Sequence, residues 1–185
     1  AVHTTASTMT RYDYWDTTPF NTDMIATTTR PHIQMVIGTA AAQTYTSSTT
    51  TQTNTTSTGT GQLNQEIIGM QVVTAGCSSP LSVTSFTLNT AGSTSASDIT
   101  NAKVFYTGSS STFSAAAQFG SAVANPNGSF TVTGSQTLDA GTNHFWLAYD
   151  ISPVAGSGNV VDAQCNSITV GGLARTPTLT NPAGS

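Results

Sequence analysis

The chain has 185 residues, of which 6% are charged and 37% are hydrophobic, and it carries a formal net charge of −4. Binding to a nucleic-acid backbone or an anionic membrane surface needs clustered Lys and Arg, so a total of four basic residues excludes both classes of partner. No stretch reaches the roughly 18 consecutive apolar residues of a membrane-spanning helix, which excludes insertion of that kind.

The first part of the chain, residues 1–41, combines aromatic and acidic side chains with one short alternating segment at residues 32–37. A lone strand buries little apolar surface, so this segment needs a partner sheet. We interpret residues 1–41 as terminal strands of a preceding β-domain or as an assembly arm. The aromatic side chains also suit contact with a sugar ring, the alternative being packing against a neighbouring domain. These ligand candidates are Tyr12, Tyr14 and Trp15.

Four aspartates are candidate calcium ligands, because calcium takes oxygen donors. Asp13, Asp16 and Asp23 lie in residues 1–41, and Asp98 lies in a polar loop. None of these aspartates fits the EF-hand pattern, and the favoured interpretation is that they occupy turn and cap positions. No two histidines stand at the spacing of metal ligands. The sequence therefore predicts no metal site. Thr17 follows Asp16 in a pattern similar to an O-glycosylation motif of exported bacterial proteins, which makes it a candidate glycosylation site.

Residues 42–64 differ in composition from residues 1–41, because toward its end this segment consists almost entirely of Thr, Ser, Asn and Gln. Such a composition cannot supply a core, but Thr is a good strand residue because its branched Cβ fits a pleated surface. We predict an extended edge strand that runs into a loop. A plain linker is the alternative.

Residues 65–185 contain short apolar runs that recur between turn residues, which is typical of an all-β sandwich or barrel. About seven such runs match the size of an antiparallel immunoglobulin-like β-sandwich. No window shows apolar residues at helical spacing. The predicted strands are 66–74, 81–89, 102–107, 113–119, 129–133, 143–150 and 160–170.

Two of these strands change the parity of their apolar residues partway along, which is the effect of a β-bulge. The pattern predicts one bulge near Ser85 and another at Asn166–Ser167. The strand at 143–150 has apolar or aromatic residues on both faces, which predicts a central strand. Its Trp146 is expected either to be covered by a loop or neighbouring domain, or to contact a ligand.

The cysteines, Cys77 and Cys165, are too few for a structural zinc site. In an exported protein they are expected to form a disulfide, which would contribute roughly 3–5 kcal/mol because the loop it closes is long. Two buried free thiols are the alternative.

Signatures of catalysis are absent from the sequence. It contains no GxSxG elbow, no P-loop and no dinucleotide fingerprint. Asp150 and Asp162 are the one conceivable carboxylate pair for glycoside hydrolysis, but both stand beside turns, where Asp is common. The sequence therefore predicts a protein without catalytic activity and without a cofactor.

An ordered series of motifs resembles one known family. The motifs are 64–69, 80–86, 101–108, 130–134, 145–151 and 181–184. The series is similar to the domain found N-terminal to BNR-repeat neuraminidases, which recurs in large surface proteins and adhesins of bacteria that use type IX secretion. The resemblance spans about residues 43–185; it implies export, an outer-surface location and a β-sandwich. It does not imply sialidase activity, because the catalysis in those enzymes belongs to a propeller with SxDxGxTW boxes, which this chain lacks.

Two functions follow from these observations as expectations. The first is a structural or adhesive module of a secreted bacterial cell-surface protein or surface filament, whose partners are neighbouring domains or copies of itself. The alternative is an accessory carbohydrate-binding module of a secreted, sialidase-like glycosidase, which would bind glycans through exposed aromatic residues.

Overall fold

The computed structural model describes residues 39–183. The chain divides into two units, Ala1–Ala40 and Ala41–Ser185, and every strand below belongs to the second. The predictions for residues 1–38, including the contacts of the three aromatic residues, the two acidic residues beside them and glycosylation of Thr17, lie outside the described residues.

Within residues 39–183, nine strands form two antiparallel sheets, which confirms the all-β sandwich. The five-stranded sheet has the order β1-β2-β7-β4-β5, and the four-stranded sheet has the order β6-β3-β8-β9. Within residues 39–183 no helix is long and apolar enough to cross a membrane. The strands are β1 Thr44–Thr51, β2 Gln65–Ala75, β3 Ser82–Asn89, β4 Ile99–Gly108, β5 Gln118–Ala124, β6 Ser129–Thr137, β7 Gly141–Ile151, β8 Gln164–Val170 and β9 Leu173–Arg175.

The hydrophobic core lies between the two sheets. Phe86 on β3 is fully buried, and its ring centroid lies 5.3 Å from that of Phe119 on β5 and 5.0 Å from that of Phe145 on β7. Strand β7 pairs with both β2 and β4, and its residues from Phe145 to Ile151 are all buried. The two-faced apolar pattern of 143–150 therefore does mark a central strand.

Both predicted bulges are present. The pairing of β3 shifts between Val83 and Ser85 against both of its neighbours. On β8 the pairing moves from Ser167 to Cys165 while β3 advances by a single residue, which leaves Asn166 as the extra residue. Because a bulge reverses the side-chain alternation, the apolar residues on each side of it reach the same core.

One predicted strand is misplaced. The run 113–119 was expected to be a strand, but β5 begins only at Gln118. Phe113 lies instead in the β4–β5 loop, where its ring contacts Phe105 at 5.9 Å and Trp146 at 6.1 Å between centroids. Its apolar character serves to cover the outer face of the five-stranded sheet rather than to fill a strand position.

The predicted disulfide is wrong, because Cys77 and Cys165 are both free thiols. Cys77 is exposed in the connection that precedes β3, whereas Cys165 is buried on β8 beside Leu88. Leu88 lies about 20 Å from the beginning of β3 at roughly 3.3 Å per residue. A disulfide needs Cα atoms within about 7 Å of each other, so the sandwich holds the two thiols too far apart. Burial raises the pKa of Cys165 to about 12, which keeps this thiol protonated.

The segment that follows β9 joins the edges of the two sheets. The Thr178 amide donates to the Ser48 carbonyl of β1 at 2.8 Å, and the Cys165 amide of β8 donates to the Thr180 carbonyl at 3.0 Å. These bonds cover part of an edge that would otherwise expose unpaired backbone groups. They also fix β1, whose last residue leads into the groove described below.

Candidate binding groove and buried carboxylates

The outer face of the five-stranded sheet carries an aromatic cluster around Trp146. This side chain is only 5% exposed, because Phe113 lies against its edge and His144 stacks on it with ring centroids 6.2 Å apart. The indole Nε1 donates to Thr107 Oγ1 at 2.8 Å, which satisfies its one polar group. Burial also lowers the pKa of His144.

Trp146 is therefore covered by the β4–β5 loop of its own domain. A sugar-binding aromatic residue needs an open ring face on which a ligand can stack, and this ring has none. The prediction that Trp146 contacts a ligand is wrong for this structure, whereas the alternative, a covered ring on a central strand, agrees with it.

An ion pair lies on the same sheet face at the other end of β7. Lys103 Nζ approaches Asp150 Oδ2 at 2.7 Å and also donates to Asn64 Oδ1 at 2.9 Å. Asp150 further accepts from the Asn64 amide at 2.9 Å and from Asn101 Nδ2 at 3.1 Å. Burial alone would raise the pKa of Asp150, but these hydrogen bonds and the Lys103 charge outweigh it and lower that pKa. The carboxylate is thus held ionised as a structural anchor.

Asp98, the one calcium candidate among the described residues, is buried and accepts hydrogen bonds from loop residues. Its carboxylate accepts from the Gly156 amide at 3.1 Å and from Asn159 Nδ2 at 2.7 Å. Within the part of the chain that the structure describes, no three His, Cys, Asp or Glu side chains form a group that could hold a metal ion. Asp98 therefore ties the turn before β4 to the loop between β7 and β8.

Asp150 and Asp162 are not brought together as a catalytic pair. Asp150 points to the outer face of β7, whereas the neighbouring Tyr149 points into the core and donates to the Asp162 carbonyl at 3.3 Å. The Asp162 carboxylate accepts hydrogen bonds at Oδ1 from the backbone amide of Ala163 at 2.7 Å and from Gln52 Nε2 at 3.1 Å. Because adjacent strand residues face opposite sides of a sheet, β7 separates the two carboxylates.

A polar groove of about 360 Å³ lies beside the start of β2. One wall is the segment after β1, Gln52 and residues 54–58, and the other is the loop 158–161. The floor is formed by residues 65–67. A groove of this volume is within the usual size range of small-molecule sites.

Hydrogen bonds fix the wall that follows β1. Asn54 Oδ1 accepts from the backbone amide and the hydroxyl of Thr56, at 3.2 and 2.6 Å. Thr58 Oγ1 donates to Gln65 Oε1 at 2.9 Å, which ties the end of the wall to β2. On the opposite side the Val160 amide donates to Thr94 Oγ1 at 3.0 Å. The wall after β1 is thus tied to the fold through Thr58, and the loop 158–161 is tied through Val160.

Two polar groups of the groove have no partner among the described residues. Gln52 Oε1 is buried and accepts no hydrogen bond. Glu66 is half-buried, and burial raises the pKa of its carboxyl, toward which no donor is directed. Glu66 is the only ionisable residue of the lining, which contains no Lys, Arg or His. The groove thus offers hydroxyls, amides and a single carboxylate.

This arrangement suits reversible binding through hydrogen bonds. A hydrolase needs a nucleophile with a base, or two carboxylates across a cleft, and among residues 39–183 the groove lining supplies one carboxylate. Sequence reasoning missed Glu66 and Gln52. The available signal was that Glu66 is the single glutamate of the chain and begins a strand directly after a hydroxyl-rich segment.

Comparison with known proteins gives one family and one informative structure. The family model described as the N-terminal domain of BNR-repeat neuraminidase matches residues 46–173. The solved structure titled Hadza microbial sialidase Hz136 is similar at a TM-score of 0.55 and 11% identity, over 68% of this chain and 29% of that one. At that identity the similarity shows the fold alone, and this chain spans less than a third of that sialidase. No curated protein matches the chain.

Proposed function

This chain belongs to the family of N-terminal domains of BNR-repeat neuraminidases, and from that premise we propose that it is a non-catalytic module of a secreted bacterial protein. Its role is structural or adhesive, at the outer cell surface, either within a long surface protein or within a surface filament. Its partners are neighbouring domains or further copies of the chain. The family to which it belongs is an associated domain of neuraminidases, distinct from the part that carries catalysis.

The observation that carries this proposal is the engagement of the buried acids. Asp98, Asp150 and Asp162 each accept hydrogen bonds that join loops or strands. The one described histidine, His144, stacks on Trp146 and makes no hydrogen bond to a serine or threonine hydroxyl. These four side chains therefore serve the fold, which supports a structural or adhesive module without catalytic activity.

Exposed apolar side chains at one end of the sandwich support packing against a neighbour. Leu63 is 63% exposed and Val154 is 88% exposed. Their segments are adjacent, because the Ile151 amide donates to the Gln62 carbonyl at 2.8 Å. Because only 6% of the residues are charged, two such surfaces would meet with little charge repulsion, as modules in a string or filament must.

Immunogold electron microscopy of the native organism's surface tests this role. We expect an antibody against this chain to label surface-attached fibres or strings of beads, and brief protease treatment of intact cells to remove the label. An antibody against a cytoplasmic protein is the control for cell integrity. Label confined to the cell interior, or to dispersed single copies that never associate with a larger structure, would contradict the proposal.

A second function, an accessory carbohydrate-binding module of a secreted glycosidase, is favoured by the groove beside β2. Its lining is rich in hydroxyls and amides, and the half-buried Glu66 carboxyl lies among them. A ligand that exchanges hydrogen bonds with these groups would bind in the groove. This function and the first are compatible in one protein.

A further inference from the structure

The groove beside β2 also carries information on the kind of sugar that it would accept. We infer that this groove is a binding site for neutral, hydroxyl-rich glycans and that it discriminates against sialylated ones. This inference rests on the second function proposed above, glycan binding. It departs from the expectation that a neuraminidase-associated domain should bind the acidic sugar on which a neuraminidase acts.

The first step of the argument is the charge of the lining. Glu66 is the only ionisable side chain in contact with the groove. Lys103, one of the two described basic side chains, is bound to Asp150 and Asn64. The other, Arg175, lies over the Tyr45 ring at 4.7 Å. Neither lines the groove, so within residues 39–183 no cation lies there to neutralise a ligand carboxylate.

The second step is the hydrogen-bonding character of the free groups. The Glu66 carboxyl lines the groove and can accept hydrogen bonds. Gln52 contributes little to ligand contact, because its Oε1 is buried and its amide nitrogen already donates to Asp162 Oδ1. A ligand that supplies donors therefore fits the Glu66 carboxyl. A neutral sugar supplies a hydroxyl at nearly every carbon, whereas a sialic acid places a carboxylate, itself an acceptor, among them. Both hydrogen bonding and charge thus favour the neutral ligand.

The third step is the shape of the site. About 360 Å³ between the two walls is room for a short oligosaccharide rather than a single small ion. Among residues 39–183, no aromatic side chain lines the groove. Because stacking on an aromatic face is missing, affinity depends on hydrogen bonds and on contact with a few aliphatic side chains of the lining, and we expect dissociation constants between about 10 µM and 1 mM.

Titration calorimetry of the full 185-residue chain tests the inference. The probes are neutral di- to tetrasaccharides, chosen by prior screening on a glycan array, and the same sugars carrying one terminal sialic acid. We expect the neutral sugar to bind about tenfold more tightly at low salt. The preference should narrow as ionic strength rises, because screening weakens the repulsion from Glu66.

Two variants test whether the ligand binds in the groove. Val160→Trp fills the space between the walls and is expected to weaken binding of the neutral sugar by at least about tenfold. Thr55→Trp does the same from the exposed wall, where a disturbed fold is not expected. Thr131→Trp is the matched control, because it places the same ring on the exposed face of β6, and it should bind the sugar as the parent does.

Charge is tested separately by Glu66→Gln, which should reduce the preference for the neutral over the sialylated sugar to about threefold or less. Asp139→Asn removes one charge at an exposed site outside the groove and should leave the preference unchanged.

The contrary outcomes separate the two proposals. Tighter binding of the sialylated sugar, or a preference that Glu66→Gln does not alter, would overturn the inference while leaving glycan binding intact. No binding of any glycan, or binding that neither groove variant affects, would overturn both the inference and the groove as a carbohydrate site. The structural role would then stand alone.

Discussion

Phe86→Ala is expected to lower the free energy of unfolding by about 4 kcal/mol. The Phe86 ring is fully buried and contacts the rings of Phe119 and Phe145 on the opposite sheet. Truncation removes the apolar surface and leaves a cavity that two stiff sheets cannot close. Equilibrium urea unfolding, followed by tryptophan fluorescence and circular dichroism, measures this loss.

The matched control is Leu173→Ala, which shortens an apolar side chain that is 58% exposed on β9. It should change stability by no more than about 0.5 kcal/mol. A Phe86→Ala protein that lost less than about 1 kcal/mol would show that the sheets do not pack across this ring, and the two-sheet core would have to be reconsidered.

Lys103→Met is expected to lower the free energy of unfolding by about 3 kcal/mol at neutral pH. Methionine preserves most of the length of the side chain but removes its charge, so Asp150, which is 4% exposed, is left as an ionised group without its cation. The loss comes mainly from that unpaired buried carboxylate. Urea unfolding at pH 7 measures the difference between the parent and the variant.

The pH dependence of this difference identifies its cause. The pKa of Asp150 is lowered in the folded protein, so the ion pair stabilises the fold fully above the unfolded pKa of about 3.9. That contribution is lost as pH falls through the folded pKa. The gap between the parent and Lys103→Met should therefore shrink below about pH 4.

The double variant Lys103→Met with Asp150→Asn is the control for the charge. Because the carboxylate is removed, we expect the double variant to regain at least about half of the unfolding free energy that Lys103→Met loses, which a double-mutant cycle measures. A gap that is independent of pH, together with no recovery in the double variant, would assign the effect to lost packing of the lysine stem instead.

The repeating pattern of the chain was sufficient to predict the sandwich, its central strand and both bulges. These features are local in origin. A bulge appears in sequence as a reversed alternation, as between Val83 and Phe86, and a central strand appears as apolar residues on both faces, as at Phe145 and Trp146. The physical rule, that strand side chains alternate between two faces, acts over a few residues and can be read from them.

The features that sequence could not supply depend on distances between separate segments. Nothing in the sequence indicates that Cys77 and Cys165 lie toward opposite ends of β3, because that depends on the register between strands. Phe113 has the same local pattern as a strand residue, and only the position of Trp146 on a neighbouring strand explains its place in a loop. The sequence left two alternatives for Trp146, a covered ring or contact with a ligand, and only the folded structure decides between them.

The groove was missed for the same reason. Its two walls, one after β1 and one before β8, are far apart in sequence and meet only because the two sheets pack together. Glu66 alone looked like an ordinary first residue of a strand. Its significance comes from its place in the lining of the groove, which is a property of the folded chain.

The claim that this chain is a module without catalytic activity is tested most directly by its action on a fluorogenic sialoside. The purified chain, incubated for many hours at micromolar concentration between about pH 5 and 7, is expected to release no fluorophore above the buffer blank, while a known sialidase does so under the same conditions. Release that increases in proportion to the concentration of the chain, persists through repeated purification and is abolished by Glu66→Gln or Asp162→Asn would contradict the claim.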